Sequence, residues 1–472
     1  MADELPPLTP LTLPWMHETL DDREQINRLF AQYGSPLNLH HLGPFRQNFA
    51  DYAALLDDLG LDHLIFFARK ANKCRAFAAE AGRLGHGVDT ASYRELEQAL
   101  ALGVPPERLV LTAAIKARRL IELAVANDVP IMIDNRDECE LIDSVAQQHG
   151  KQAEVGLRIS GFNVDGERLY SRFGVPVDEA VDFIVGVMGQ QCSHLRFTGL
   201  HFHLNGYSRH ERGAALSAAI DVADSLKAQG IETRYIDIGG GLLVRYLAQR
   251  NEWEQFMAAL RDAQRGRRAP ITFGNMGLGL QLIDGELHGE PTVYPYYNET
   301  AKVDFLAEVL AHQAPSGGSV AQMLQARDIQ IRMEPGRSLL DQCGMTVARV
   351  AFRKWDSRGE LLVGLEMNRT QLFSSSADFL LDPILIHHPP NPEPDHGLSG
   401  YFVGAYCLEQ DVILKRKIRF QQMPAIGDWV AFPNSAGYMM HFYESEAHLF
   451  ELATNLVAAD STNRFVLDDP ET

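Results

Sequence analysis

The stretch HLIFFARKANKCRAFAAEAGRLGHGVDTASYRELEQALALGVPPERLVLTA, residues 63–113, sets the fold. Its apolar runs HLIFFAR (63–69), GVDTA (87–91) and RLVLTA (108–113) alternate with segments of helical period, CRAFAAEAGRL and YRELEQALALG. Short apolar strands separated by amphipathic helices predict parallel strands joined by crossover helices. The series continues through VPIMID (129–134), AEVGLRIS (153–160), LRFTGLHFHL (195–204), TRYIDIGG (233–240) and IQIRMEP (329–335), with helices such as RDECELIDSVAQQHG and ERGAALSAAIDVADSLKAQG between them. Eight strands in such alternation predict a closed (β/α)8 barrel rather than an open doubly wound sheet. A seventh barrel helix is expected near EWEQFMAALRDAQ (252–264), and GELHGEPTVYPYYNET (285–300) reads as an insertion, either on the active-site side or as a decoration of the outer wall.

After Arg337 the pattern changes to β-branched and apolar runs, MTVARVAFRKW, GELLVGLEM, YFVGAYC and DWVAFPN, broken by Gly, Pro and Asp turns. These predict an antiparallel β-barrel or sandwich domain. The expected organisation is an N-terminal segment 1–45 packing on the β domain, a barrel over 46–338 and a C-terminal β domain over 339–472. HHPPNPEPDHG (387–397) reads as a surface loop.

Composition bounds the function. Hydrophobic residues make up 46% and charged residues 22% of the 472, as in ordinary globular proteins. A net charge of -19 argues against a nucleic-acid partner, which needs a basic surface. The N-terminus has acids and prolines where a signal peptide carries positive charge, and no stretch approaches 18 apolar residues. Cys74, Cys139, Cys192, Cys343 and Cys407 show no metal or disulfide spacing. A cytoplasmic protein without membrane contact or metal is the expectation.

Functional side chains of such barrels lie at the C-terminal ends of strands. Those ends carry Arg69-Lys70-Ala71-Asn72, Asp89, Arg158, His201 with His203, Asp237 with Gly239-Gly240-Gly241, and Glu334-Pro335-Gly336-Arg337. A lysine after a strand as apolar as LIFFA suits a nucleophilic amine. The glycine run can bring backbone N–H groups onto an anion, and Glu334 with Arg337 offers opposite charges around a rigid turn. Each also has a plain structural alternative: an exposed lysine, a turn, a salt bridge.

Taken in order, Phe67–Asn72, Gly87–Ser92, Gly199–His203, Asp237–Gly241, Glu334–Arg337 and Gly427-Asp428-Trp429 resemble the ornithine/diaminopimelate decarboxylase family of pyridoxal 5'-phosphate (PLP) enzymes, fold type III. The resemblance spans about residues 40 to 445. It implies that Lys70 forms the internal aldimine, that His203 stacks on the cofactor ring and that Glu334 pairs with the pyridine nitrogen. Gly239, Gly240, Gly241, Gly336, Arg337 and Tyr438 would hold the phosphate, with Asp89 and Arg158 in support. Cys407 would donate a proton from a segment inserted into the partner subunit's site, so a homodimer with shared active sites is implied. A carboxylate such as Glu334 favours decarboxylation through a stabilised quinonoid over racemisation. A racemase or epimerase, a regulatory PLP-binding homologue and a sugar-phosphate barrel are the alternatives.

Two departures bear on the substrate. Leu204-Asn205-Gly206 follows His203 where the family has a phosphate-binding serine, leaving Tyr207 or Ser208 to compensate. Ala377–Pro383 holds no arginine for a second carboxylate, which makes diaminopimelate an unlikely substrate. Asp382, Glu409 and Asp411 are the acids expected to receive an amine-bearing tail.

Overall fold

The computed structural model describes residues 5–315, 317–374, 377–388, 398–458 and 463–468. The chain divides into two compact units, one of Arg46–Leu243 with Thr300–Leu339, the other of Met1–Phe45, Val244–Glu299 and Leu340–Thr472. The loop predicted over 387–397 lies almost wholly outside the described residues.

The first unit is a closed barrel of eight parallel strands: β1 (His63–Ala68), β2 (Gly87–Thr90), β3 (Leu109–Leu111), β4 (Ile131–Ile133), β5 (Ala153–Ser160), β6 (Leu195–His201), β7 (Tyr235–Asp237) and β8 (Gln330–Met333). Neighbours in sequence are neighbours in space, and β8 returns to pair with β1, Ile331 opposite His63. Strands this short and apolar close because both faces are covered, one by the outer helices and one by the barrel's own filling. Phe66, Val110, Met132 and Tyr235 form part of that filling, all at most 1% exposed.

Tyr235 needs the bare backbone of β6. A Cβ on Gly199 would lie 2.4 Å from the Tyr235 ring. Gly199→Ala is therefore expected to destabilise the barrel by about 1–3 kcal/mol through overpacking. The thermal midpoint should fall by several degrees, and an unchanged midpoint would show that the ring can move aside.

The second unit is built on a curled sheet whose spine is the 12-residue strand Gly344–Trp355. It pairs antiparallel with Leu37–His40, Leu361–Leu365 and Trp429–Pro433, and its register shifts between Val350 and Phe352, where a bulge bends it. The sheet is not purely antiparallel: Leu37–His40 runs parallel to Thr454–Ala458, and Leu361–Leu365 parallel to Ser399–Val403. The N-terminal segment thus supplies an internal strand of this sheet. Trp15, Phe30, Met345, Val347 and Trp429 belong to the core beside it.

Residues 244–299 differ from the expectation. They group with the β unit, and the helix predicted to follow β7, Arg250–Gln264, goes with them. Buried Tyr246, Tyr294 and Tyr296 pack edge-on or tilted against one another there; the Tyr294 hydroxyl accepts from Val244 N–H at 2.7 Å and the Tyr296 hydroxyl from Leu380 N–H at 3.1 Å. Aromatic bodies buried with satisfied polar tips tie the segment to that unit. Helices Lys302–Leu310 and Val320–Arg327 instead pack on the barrel helix Arg209–Lys227.

Candidate active site

Lys70 lies in the 3-10 turn Arg69–Ala71 that ends β1. The buried Arg69 guanidinium fixes this turn by donating to the carbonyls of Asn72 and Lys73 and to Gln98 Oε1. Lys70 Nζ donates to Asp89 Oδ2 at 2.6 Å, from a side chain 34% exposed to one wholly buried at the end of β2. The Thr112 hydroxyl, just past β3, donates to the other Asp89 oxygen. Burial and the neighbouring Glu334 push the Asp89 carboxyl above its ordinary range, against the pull of Lys70 and Thr112.

Glu334 follows β8 and is 3% exposed. Its Oε1 sits 3.2 Å from His201 Nε2, close enough for an ion pair but not aligned as a hydrogen bond, so this buried oxygen has no hydrogen-bond partner. Burial resists ionisation, yet the adjacent His201 and Lys70 outweigh it and hold the carboxyl at about 2. Asp237 takes the opposite part. Its Oδ1 accepts from Gly239 N–H at 2.9 Å, its Oδ2 is unpartnered, and burial followed by the charge of Glu334 raises it well above the usual carboxylate range. The donor atoms of His201, Asp237 and Glu334 all lie within 4.8 Å of one another. The two neighbouring carboxyls are thus driven in opposite directions, Glu334 toward its charged form and Asp237 toward its neutral one.

His203, two residues beyond His201, accepts from Gly240 N–H through Nδ1 at 3.1 Å, which leaves the proton on Nε2. Burial and then the charge of Lys70 lower it to about 3, so the ring is neutral. Gly239 and Gly241 have φ of +66° and +86°, and a Cβ on Gly240 would come 2.6 Å from the Glu334 carbonyl. No side chain fits in this turn, which explains the triplet. Arg158, past the middle of β5, stacks its guanidinium 4.2 Å from the Phe173 ring centroid. Gly336 is buried and Arg337 half-buried after β8.

The barrel thus gathers Lys70, Asp89, Arg158, His203, Gly239–Gly241, Glu334, Gly336 and Arg337 at or near its strand ends. A ring nitrogen would meet the buried Glu334 carboxylate, an aldehyde the Lys70 amine, and a phosphate the glycine turn, so the residues fit PLP. The sequence reading passed over Thr112 and the pairing of His201 with Glu334. The spacing of His201 and His203 was the available signal, since alternate strand residues share a face.

The other candidates belong to the β unit. Cys407 and Glu409 are exposed, and Tyr438 has φ +71°, a left-handed conformation rare for a bulky residue. The placing of two substrate acids is corrected. Asp382 is consumed by the buried Arg416 guanidinium and by Leu8 N–H at 2.9 Å, because a buried arginine needs its counterion. Asp411 is buried and braces its own loop, accepting from Arg369 N–H at 2.9 Å and Tyr406 N–H at 2.8 Å.

The profile of the pyridoxal-dependent decarboxylase, pyridoxal binding domain family matches residues 42–272. An uncharacterized protein of Sinorhizobium fredii is 32% identical over 422 residues, 89% of this chain and 86% of that one. A diaminopimelate decarboxylase of Helicobacter pylori is 28% identical over 446 residues, 90% and 91% of the two chains. The crystal structure of diaminopimelate decarboxylase from Helicobacter pylori complexed with L-lysine superposes with a TM-score of 0.68 at 20% identity, covering 94% of this chain and 95% of that one.

Proposed function

The chain belongs to the fold type III PLP-dependent decarboxylases, and from that premise we propose that it decarboxylates an amino acid other than diaminopimelate, one with an amine-bearing or otherwise non-diaminopimelate side chain. It is a PLP enzyme of amino-acid decarboxylation. When bound, PLP supplies an aldehyde for amines and a ring that accepts the electron pair left by carbon dioxide.

The residues divide the work around it. Lys70 would hold the cofactor through its aldehyde, with Asp89 fixing the position of Nζ. The ionised Glu334 would keep a proton on the ring nitrogen. Neutral His203 would pack against the ring without adding a charge that competes with that proton. The glycine turn, Gly336, Arg337 and Tyr438 would hold the phosphate, and Arg158 would support the site from β5.

In a homodimer, the exposed Cys407 and Glu409 would reach the partner's site, Cys407 to return a proton to the α carbon and Glu409 to receive the substrate's tail. Five free thiols suit a reducing, cytoplasmic setting. Among the described residues no helix is long and apolar enough to cross a membrane.

The observation that carries the reading is the buried Glu334 carboxylate, held in its charged form by His201 and Lys70, at the same strand ends as the Lys70–Asp89 pair. The absence of arginine from Ala377–Pro383 carries the choice against diaminopimelate. Purified enzyme with PLP should release carbon dioxide from at least one member of a panel of L- and D-lysine, ornithine and citryl-linked diamino acids, at a rate at least about tenfold above that with meso-diaminopimelate, the discrimination expected from one unpaired buried charge. Fastest release from diaminopimelate would overturn the substrate proposal. Exchange of the α proton in deuterated water without carbon dioxide would overturn decarboxylation in favour of racemisation.

A further inference from the structure

Arg212 stands on the first turn of the helix Arg209–Lys227 and is 1% exposed. Its Nη1 donates to the Ile238 carbonyl at 3.2 Å and its Nη2 to the Gly206 carbonyl at 3.4 Å, both long, and its Nε has no partner. No carboxylate among the described residues forms an ion pair with it; Glu211, next in sequence, caps nothing on this guanidinium. Burial alone lowers its affinity for the proton, to about 10, with only Glu211 and Tyr207 opposing. A guanidinium taken out of water without a counterion is costly, and such groups are retained where an anion meets them.

The location names the anion. Ile238 immediately precedes Gly239-Gly240-Gly241, and Gly206 lies in the loop that follows His203. A Cβ on Gly241 would sit 2.8 Å from Arg212 Nη2. The guanidinium therefore lies against the turn that the functional reading gives to phosphate, where the N–H groups of Gly239 and Gly240 are already taken by Asp237 and His203. Leu204-Asn205-Gly206 offers no hydroxyl where the family has its phosphate-binding serine, which leaves Tyr207 and Ser208, the latter also the helix cap that accepts from Glu211 N–H at 3.2 Å.

We propose that Arg212 is the buried cation of the cofactor phosphate site, giving this chain a charged phosphate ligand beneath the glycine turn. The proposal rests on the reading of the barrel as a PLP site. A planar guanidinium suits two phosphate oxygens at once, and its long bonds to the two carbonyls leave donors to spare. The rival role is a brace that ties Ile238 to Gly206 and never meets the ligand.

Equilibrium titration with PLP and with pyridoxal, which lacks the phosphate, separates the two. Wild-type protein should prefer PLP. Arg212→Gln should lose about 10- to 100-fold in affinity for PLP and change less than about twofold for pyridoxal. Equal weakening toward both compounds, or no weakening, overturns the proposal. Should circular dichroism show Arg212→Gln unfolded, Arg212→Lys decides: a point charge without the fork is expected to bind PLP severalfold more weakly with pyridoxal unchanged, and an equal loss for both overturns the phosphate role. Wild-type protein that bound neither compound would overturn the functional reading itself.

Discussion

Lys70→Ala is expected to lower kcat by about 10³-fold or more, since the proposed function makes this residue the covalent attachment of the cofactor. The fold should survive the change. Lys70 leaves Asp89 buried without its cation, but burial already pushes Asp89 toward its neutral form, so the carboxyl can take up a proton and keep the Thr112 hydroxyl as partner. A thermal midpoint within a few degrees of wild type, together with lost turnover, is the expected pair of results. Turnover near the wild-type rate would remove Lys70 from the mechanism.

Glu334→Gln is expected to cost about 10²- to 10³-fold in kcat, with cofactor affinity changed far less. The amide can still hydrogen-bond a ring nitrogen but cannot hold a proton on it, and the ring's capacity to accept electrons depends on that proton. The sign of the pH dependence follows from the direction of the shift. Glu334 is depressed to about 2 by His201 and Lys70 against the cost of burial, so its stabilising contribution is complete above the ordinary glutamate range and is lost only as the pH falls toward 2. The acidic limb of the wild-type rate profile must then come from another group, and Glu334→Gln should lower the whole profile without shifting that limb. A variant with wild-type kcat would contradict the assignment.

The barrel was legible because buried parallel strands leave continuous apolar runs at regular spacing, and HLIFFAR, VPIMID and TRYIDIGG could hardly be anything else. The strand ends were legible for the same reason: polar residues there, such as Lys70, Asp89 and Glu334, have no role in closing a barrel. What the sequence concealed depended on distant partners. The helix Arg250–Gln264 has the same amphipathic period whether it covers a barrel or joins a β unit, and only the buried tyrosines at 246, 294 and 296 reveal its allegiance. Asp382 resembles a substrate acid until Arg416, 34 residues away, is found on its carboxylate. Arg212 reads as an ordinary charge on a helix because its lack of an ion-pair partner among the described residues is a fact of packing alone.

The barrel also holds a rival for Lys70. Lys116, past β3, is buried, donating to Glu138 Oε2 at 2.9 Å and to the Ala113 carbonyl at 2.8 Å. Borohydride reduction of the PLP-loaded wild-type enzyme, followed by proteolysis and mass analysis of the labelled peptide, distinguishes them. The label is expected on the peptide containing Lys70 and absent from that containing Lys116; a label fixed on Lys116, or on any other lysine, would contradict the account.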